Sequence, residues 1–326
     1  MIIGSLNYVG EYKVKVLFIT DKSEYENRMM PNHKVIMSCV GERYDVVDKN
    51  DVVDYAKYDI IVNDGWTSFA DKIINENGKR VLIGKFYEDL WQIYDAGERN
   101  IATEYDFVIN RYHDLKTVNG LFCEEVKKFY IPHHFDFEEF QPWGMEKKFD
   151  MFVYGFPWRK LYPWRWKMFR LIKRELSNHF NIDRLRHPGY GDNCADNAVR
   201  SSELSKRINQ AWLGFCTSES HGPYNKRNNP FDFWYMKYHE TSLSGTVVLG
   251  TMPEEAKYVY QDDYIHIDNK MGHGKIIDTI GEALSDKEKL KQMAKRVHQR
   301  YRDEKLEVKY YTDKLNAIFK GLLDDS

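Results

Sequence analysis

Cysteine is scarce in this chain, and long hydrophobic runs are missing altogether. Its four cysteines, Cys39, Cys123, Cys194 and Cys216, are scattered through 326 residues with no CxxC pair and no metal-ligand spacing. That spacing argues against a disulfide framework and against a structural zinc site, leaving reduced, mostly buried thiols as the expectation. The longest apolar stretches, such as Val16-Leu17-Phe18-Ile19 and Ile60-Ile61-Val62, fall far short of the ~20 residues that a bilayer-spanning helix needs. Nor does a basic region followed by an apolar core open the sequence, so the expected location is intracellular, in the cytoplasm.

Several catalytic signatures are also absent. There is no Walker A sequence and no GxSxG elbow, and Gly189-Tyr-Gly191 and Gly272-His-Gly274 are isolated GxG fragments. Thr20-Asp21-Lys22-Ser23 follows the first apolar run where a nucleotide-binding Gly-x-Gly would stand. No clear DxD metal motif occurs, although Asp262-Asp263 are adjacent.

What remains is the profile of a folded, water-soluble protein, with 42% hydrophobic and 30% charged residues. The length suggests two domains of roughly 150 residues each, and two domains imply a cleft. The net charge of -2 conceals a local excess. Between Trp158 and His187 stand nine Lys/Arg (Arg159, Lys160, Arg165, Lys167, Arg170, Lys173, Arg174, Arg184, Arg186) against Glu175 and Asp183. Trp158, Tyr162, Trp164, Trp166 and Phe169 are interleaved with them. Such a segment is either a solvated helix face or a contact for something anionic.

Short β-branched and aromatic runs recur through the first half at residues 13–20, 58–63, 80–84, 106–110 and 127–131. Each reads as a strand buried on both faces, and the intervals between them accommodate crossover helices, which together predict a parallel sheet. The pattern restarts at Asp150-Met-Phe-Val-Tyr154 and continues through 211–217, 246–249 and 264–267, with helices over about 163–180 and 232–243. The predicted class is α/β with two Rossmann-like domains, at 1–143 and 144–304. A helix at 305–326 is expected to pack back on the first domain. Ser285-Asp-Lys-Glu288 has the form of a capping box, and the stripe Leu290, Met293, Ala294 and Val297 that follows is core.

Four segments carry chemistry. Ile131-Pro-His133-His134-Phe-Asp136 through Phe140-Gln-Pro142 closes the first half. His134 and Asp136 allow a facial iron triad as one reading and a packed turn as the other. Asp150 to Gly155 is a buried strand ending in glycine, followed by Tyr162-Pro-Trp-Arg165 and a basic helix. Lys237-Tyr-His-Glu240 leads through Gly245 into Thr246-Val-Val-Leu249. Lys237 and Glu240 share a helix face, which by itself is also what an ordinary i,i+3 ion pair looks like. Arg207-Ile-Asn209 enters the strand that ends at Thr217.

In this order the segments resemble the C-terminal half of GT-B glycosyltransferases, notably the CgeB-like and group 1 (family 4-like) members. The phage DNA glucosyltransferases resemble the chain more distantly. The resemblance covers roughly residues 127 to 310, with His134 standing where the family has glycine. It implies the GT-B architecture and a nucleotide-diphospho-sugar as co-substrate, a UDP-sugar in first place, with no tightly bound cofactor and no required metal. It implies donor contacts from Glu240, Lys237, Asp232, Arg165, Arg159, Gly155 and Gly245. Asp232 lies eight residues before Glu240, in the manner of a two-acid EX7E pattern. Glu240 would accept from a ribose diol, and Arg165 at a helix N-terminus would neutralise the leaving diphosphate.

On the acceptor side an inverting enzyme needs a base. Glu88 and Asp89 stand just past the strand at 80–84, with Asp64 and His113 as competitors, and His133 is a further acceptor-side residue. A glycan or other carbohydrate hydroxyl is the expected acceptor. Hydroxymethylated DNA is the alternative, and a nucleotide-sugar epimerase or a silent binding module is the non-transferase reading.

Overall fold

The structure, a computed structural model, describes residues 14–20, 31–63, 73–87, 105–111, 125–155, 159, 162–186, 201–217, 219–220 and 231–324. The chain divides into two units, residues 1–134 with 308–326 and residues 135–307.

Unit 1 is built on a parallel six-stranded sheet in the order β2-β1-β3-β4-β5-β6. The strands are β1 (Val16–Thr20), β2 (Asp45–Asp48), β3 (Ile60–Asn63), β4 (Leu82–Tyr87), β5 (Phe107–Asn110) and β6 (Lys127–Tyr130). Parallel strands are covered on both faces, and β1 shows the result: all five residues are buried. Val16 and Phe18 face one layer with Ile36 and Val40 of helix α1 (Pro31–Gly41). Leu17 and Ile19 face the other, as the twofold period of a strand requires. β6 departs from expectation, because as the outer strand of the sheet it is only partly buried. The half-buried β2, sequence DVVD, forms the opposite edge.

Unit 2 carries a parallel five-stranded sheet in the order β13-β12-β9-β7-β8. Its strands are β7 (Phe149–Gly155), β8 (Ile182–Arg186), β9 (Ala211–Cys216), β12 (Val247–Gly250) and β13 (Ile265–His266). A small antiparallel pair, β10 (Glu219–Ser220) and β11 (Phe231–Asp232), stands apart from it. The helices are α2 (Pro163–Arg174), α3 (Ser201–Asn209), α4 (Met236–Leu243), α5 (Lys257–Tyr260), α6 (His273–Ser285) and α7 (Lys287–Asp303). Met151 and Val153 of β7 pack with Trp164, Met168, Leu171 and Ile172 of α2. Phe152 and Tyr154 face the opposite layer with Ile208 of α3.

After Glu307 the chain returns to unit 1 as helix α8 (Tyr311–Asp324), whose Leu315, Phe319 and Leu322 join the core of the first sheet. The Phe319 ring lies 6.2 Å from Phe18 and 6.4 Å from Phe107.

Two local expectations are corrected. The predicted capping box at Ser285 does not form, because α6 runs through that residue and its hydroxyl donates to the Glu282 carbonyl at 2.6 Å. Asp286, between α6 and α7, is the cap instead and accepts from the Lys289 amide at 2.9 Å. The helix expected from Asp232 begins only at Met236, since Phe231–Asp232 pair as a strand with Glu219–Ser220.

Candidate functional site

The order of the second sheet determines where a ligand finds room. From β7 the chain goes outward to β8 on one side, then crosses back to add β9 on the other. At such a switch point the loops leave in opposite directions, and a crevice opens beyond the C-terminal ends of the two strands. Tyr154 and Gly155 end β7 and Cys216 ends β9, so these residues line that position.

Helix α4 brings Lys237 and Glu240 to it. The Lys237 ammonium donates to the Tyr154 carbonyl at 2.6 Å and stands 4.5 Å from the centroid of the Tyr154 ring. The Tyr154 hydroxyl donates to Glu240 Oε2. On the inner side of the helix, the Cys216 thiol donates to the Lys237 carbonyl and lies 3.5 Å from Thr241 Oγ1. Gly155 has φ +102°, and a Cβ there would lie 1.6 Å from Lys237 Nζ and 3.8 Å from Arg165 Nη1. The lysine therefore occupies space that only a glycine leaves open. Gly250, at the end of β12 with φ +151°, is needed for a different reason, since a Cβ would lie 1.7 Å from the Cys216 carbonyl oxygen.

Arg165, in the first turn of α2, completes the group. It is 6% exposed, and its guanidinium sits 4.0 Å from the centroid of the Tyr162 ring. Among the described residues this guanidinium has no hydrogen bond and no carboxylate partner, and its charge depresses the neighbouring Lys237. Desolvation is the largest cause holding Lys237 well below its ordinary value of 10.5; Arg165 adds to it, while Glu240 opposes it. Desolvation raises Glu240, against the Tyr154 hydrogen bond and the Lys237 charge. It also pushes the Cys216 thiol up to about 12, leaving it protonated. The cluster holds two cations against one carboxylate, at the starts of two helices whose amides point toward any anion placed there.

Not every residue picked from the sequence belongs to this cluster. Gly245 has φ +73° and terminates α4, but it precedes β12 and therefore lies at the N-terminal edge of the sheet, against Pro142 and Asn209. Its carbonyl accepts from Lys147 at 2.8 Å. Arg159 is exposed and stacks 4.9 Å from the Trp166 centroid. Asp232 lies in β11, and its side chain is outside the described residues, as are Asp64, Glu88, Asp89 and His113. His133 is buried in unit 1. His134 donates through Nδ1 to the Pro132 carbonyl at 2.8 Å, and burial lowers its pKa to about 3. Asp136 caps its own turn by accepting from the Glu138 amide. The two do not converge on a metal, and no group of three or more metal-ligating side chains occurs among the described residues. Sequence reasoning missed Tyr154. Its only signal was its place as the last side chain before the glycine of β7.

No protein-family model matches the chain, and no curated protein matches it in sequence. Solved structures do match. The sucrose-phosphate synthase of Thermosynechococcus elongatus superposes with TM-score 0.64 at 10% identity, over 96% of this chain and 100% of that one. Trehalose-6-phosphate synthase OtsA gives TM-score 0.61 at 8% identity, over 94% and 99%. A DNA-modifying β-glucosyltransferase, solved with and without uridine diphosphoglucose, gives 0.54 at 16% identity, over 93% and 99%. At these identities the likeness concerns the fold. No helix among the described residues is long and apolar enough to cross a membrane.

Proposed function

From a chain with the GT-B fold, and a cation-rich cluster at the switch point of its second sheet, we propose a glycosyltransferase. It moves a sugar from a nucleotide-diphospho-sugar, a UDP-sugar in first place, to the hydroxyl of a glycan or other carbohydrate. The observation that carries this reading is the buried guanidinium of Arg165, which has no anionic partner among the described residues and stands beside a second cation, Lys237. A buried cation without a counter-charge is costly, and a diphosphate supplies the missing charge.

In this reading Arg165 and Lys237 hold the diphosphate, and the side-chain-free Gly155 leaves the room in which the Lys237 ammonium stands. Glu240 gives Oε2 to Tyr154 and Oε1 to a ribose hydroxyl. As the bond from the anomeric carbon to the diphosphate breaks, its electron pair stays on the departing oxygen, where the two cations stabilise it. The acceptor oxygen forms the new bond, and its proton passes to a base. Asp89 is the first choice for that base, with Glu88, Asp64 and His113 as alternatives. Asp89→Asn should then abolish transfer while donor binding persists. The charge is handled by side chains, so the reading calls on no metal.

Hydroxymethylated DNA is the second acceptor reading, favoured by the exposed basic helix α2 and by fold likeness to an enzyme that modifies DNA with UDP-glucose. The test is a thermal-shift and calorimetry panel of UDP, GDP, dTDP and their sugars, followed by product analysis. Selective stabilisation by one nucleotide, with free diphosphate and a heavier acceptor, is expected. Binding without transfer would leave a silent module or an epimerase, and no binding would remove the proposal.

A further inference from the structure

The outer face of α2 is a row of cations that no described carboxylate neutralises. Lys167, Arg170, Lys173 and Arg174 are all exposed, as is Arg159 just before the helix. None makes an ion pair with a carboxylate among the described residues. The two acids of this segment are engaged elsewhere. Glu175 accepts from His273 at 3.1 Å, and Asp183 is held by Arg207 at 2.7 Å. Arg184 adds a further exposed charge from β8, the edge strand, on the side of the sheet that α2 covers, since Ile182 two residues earlier packs into the α2 layer.

Trp166 organises the row. The guanidinium of Arg159 lies 4.9 Å from its centroid and that of Arg170 lies 4.7 Å away. Cation–π attraction holds the guanidinium against the ring through the ring's face, and its N–H groups remain able to donate to phosphate oxygens. The ring so covered is not open to a nucleobase, which disfavours single strands read by stacking. A membrane surface is disfavoured too, because the apolar side of α2 (Trp164, Met168, Leu171, Ile172) is buried in the core and cannot insert. A convex helix ridge about 18 Å long fits the wide major groove of B-form DNA. The deep, narrow major groove of A-form RNA does not admit it.

We infer that the outer face of α2, with Arg159 and Arg184, is a docking surface for the phosphate backbone of duplex DNA. It reads no sequence. This surface is separate from the Lys237–Glu240 cluster and does not depend on the donor reading.

Fluorescence anisotropy of the full chain with a labelled duplex of about 20 base pairs, at 50 to 300 mM NaCl, tests this. The logarithm of affinity should fall with the logarithm of salt at a slope of about -3.6 to -4.5, as expected for roughly four or five phosphates neutralised. The double variant Lys167→Glu/Arg170→Glu should bind at least tenfold more weakly, with unchanged circular dichroism and unchanged thermal shift by UDP. Should that variant fold poorly, Lys173→Gln/Arg174→Gln serves, with a smaller loss expected. A salt-independent signal, wild-type affinity in both variants, equal binding to duplex RNA, or stronger binding to phosphatidylserine vesicles would each overturn the proposal.

Discussion

Lys237 donates its ammonium to the backbone carbonyl of Tyr154, 2.6 Å away, while it stands over the ring of that same tyrosine. The tyrosine is thus gripped at its carbonyl by a cation, and at its hydroxyl it grips the carboxylate of Glu240. A single strand residue fixes the spacing of two oppositely charged side chains on the neighbouring helix.

Replacing Glu240 by alanine removes a charge-assisted contact worth ~1.5 to 3 kcal/mol, so donor affinity should fall by roughly 10- to 150-fold with the fold intact. Calorimetric titration of the nucleotide-sugar reads this. Tyr154→Phe should cost less, since the carboxylate remains and only its alignment is lost. Unchanged affinity in a folded Glu240→Ala protein would dissociate this residue from the donor.

Arg165→Ala should lower turnover more than it lowers ground-state donor binding, because charge on the diphosphate grows as the sugar departs. Comparison of kcat with the directly measured donor Kd decides it. Equal losses in both would make Arg165 a simple anchor.

The depressed Lys237 gives the site a pH signature. Its folded pKa lies well below 10.5, so the ammonium that binds an anion is lost at a pH where an exposed lysine still keeps its proton. Diphosphate affinity should therefore decline with rising pH well before 10.5, and Lys237→Arg, which stays charged, should flatten that decline. A wild-type profile flat up to pH 10 would contradict the assignment.

Buried His134 should make unit 1 acid-sensitive. Its pKa falls from 6.5 unfolded to about 3 folded, so below pH 6.5 the unfolded chain takes up a proton that the native one refuses. Stability is present above 6.5 and is lost as pH falls toward 3. Between pH 7 and pH 5 the wild type should lose about 2 kcal/mol more than His134→Asn in urea titrations.

The two glycines at the sheet edge should fail differently. In Gly155→Ala the new Cβ meets the flexible end of Lys237, so the chain should fold with modest loss of stability but bind donor poorly. In Gly250→Ala it meets the backbone of Cys216, which cannot yield, and the loss of stability should exceed ~2 kcal/mol. Thermal melts with and without UDP distinguish the two.

The strands that were legible in the sequence are the doubly buried ones, since runs such as VLFIT and FVIN admit little else. The edges were not. DVVD and IDRLR place charges on the open sides of β2 and β8 and so lose the apolar signature. That Lys237, Glu240 and Arg165 come together was readable because helix spacing and a preceding glycine strand are local patterns. Tyr154 was not, because a tyrosine ending DMFVYG looks like core. Its role comes from a partner 86 positions away along the chain. Gly245 misled for the converse reason: the helix-ending pattern was right, but only strand direction tells which edge of the sheet receives it.

The return of the chain to unit 1 through α8 has a bearing on synthesis. The first sheet is complete in sequence by Tyr130, but Leu315, Phe319 and Leu322, which seal one of its faces, follow all of unit 2. At translation rates of ~5 to 20 residues per second, a nascent chain waits roughly 10 to 40 s between the two. Throughout that interval Phe18 and Phe107 lack the ring of Phe319 that later packs against them. The contiguous second unit can form while the first stands open on the ribosome, and that bare patch is where a chaperone or a misfolding contact would find its hold.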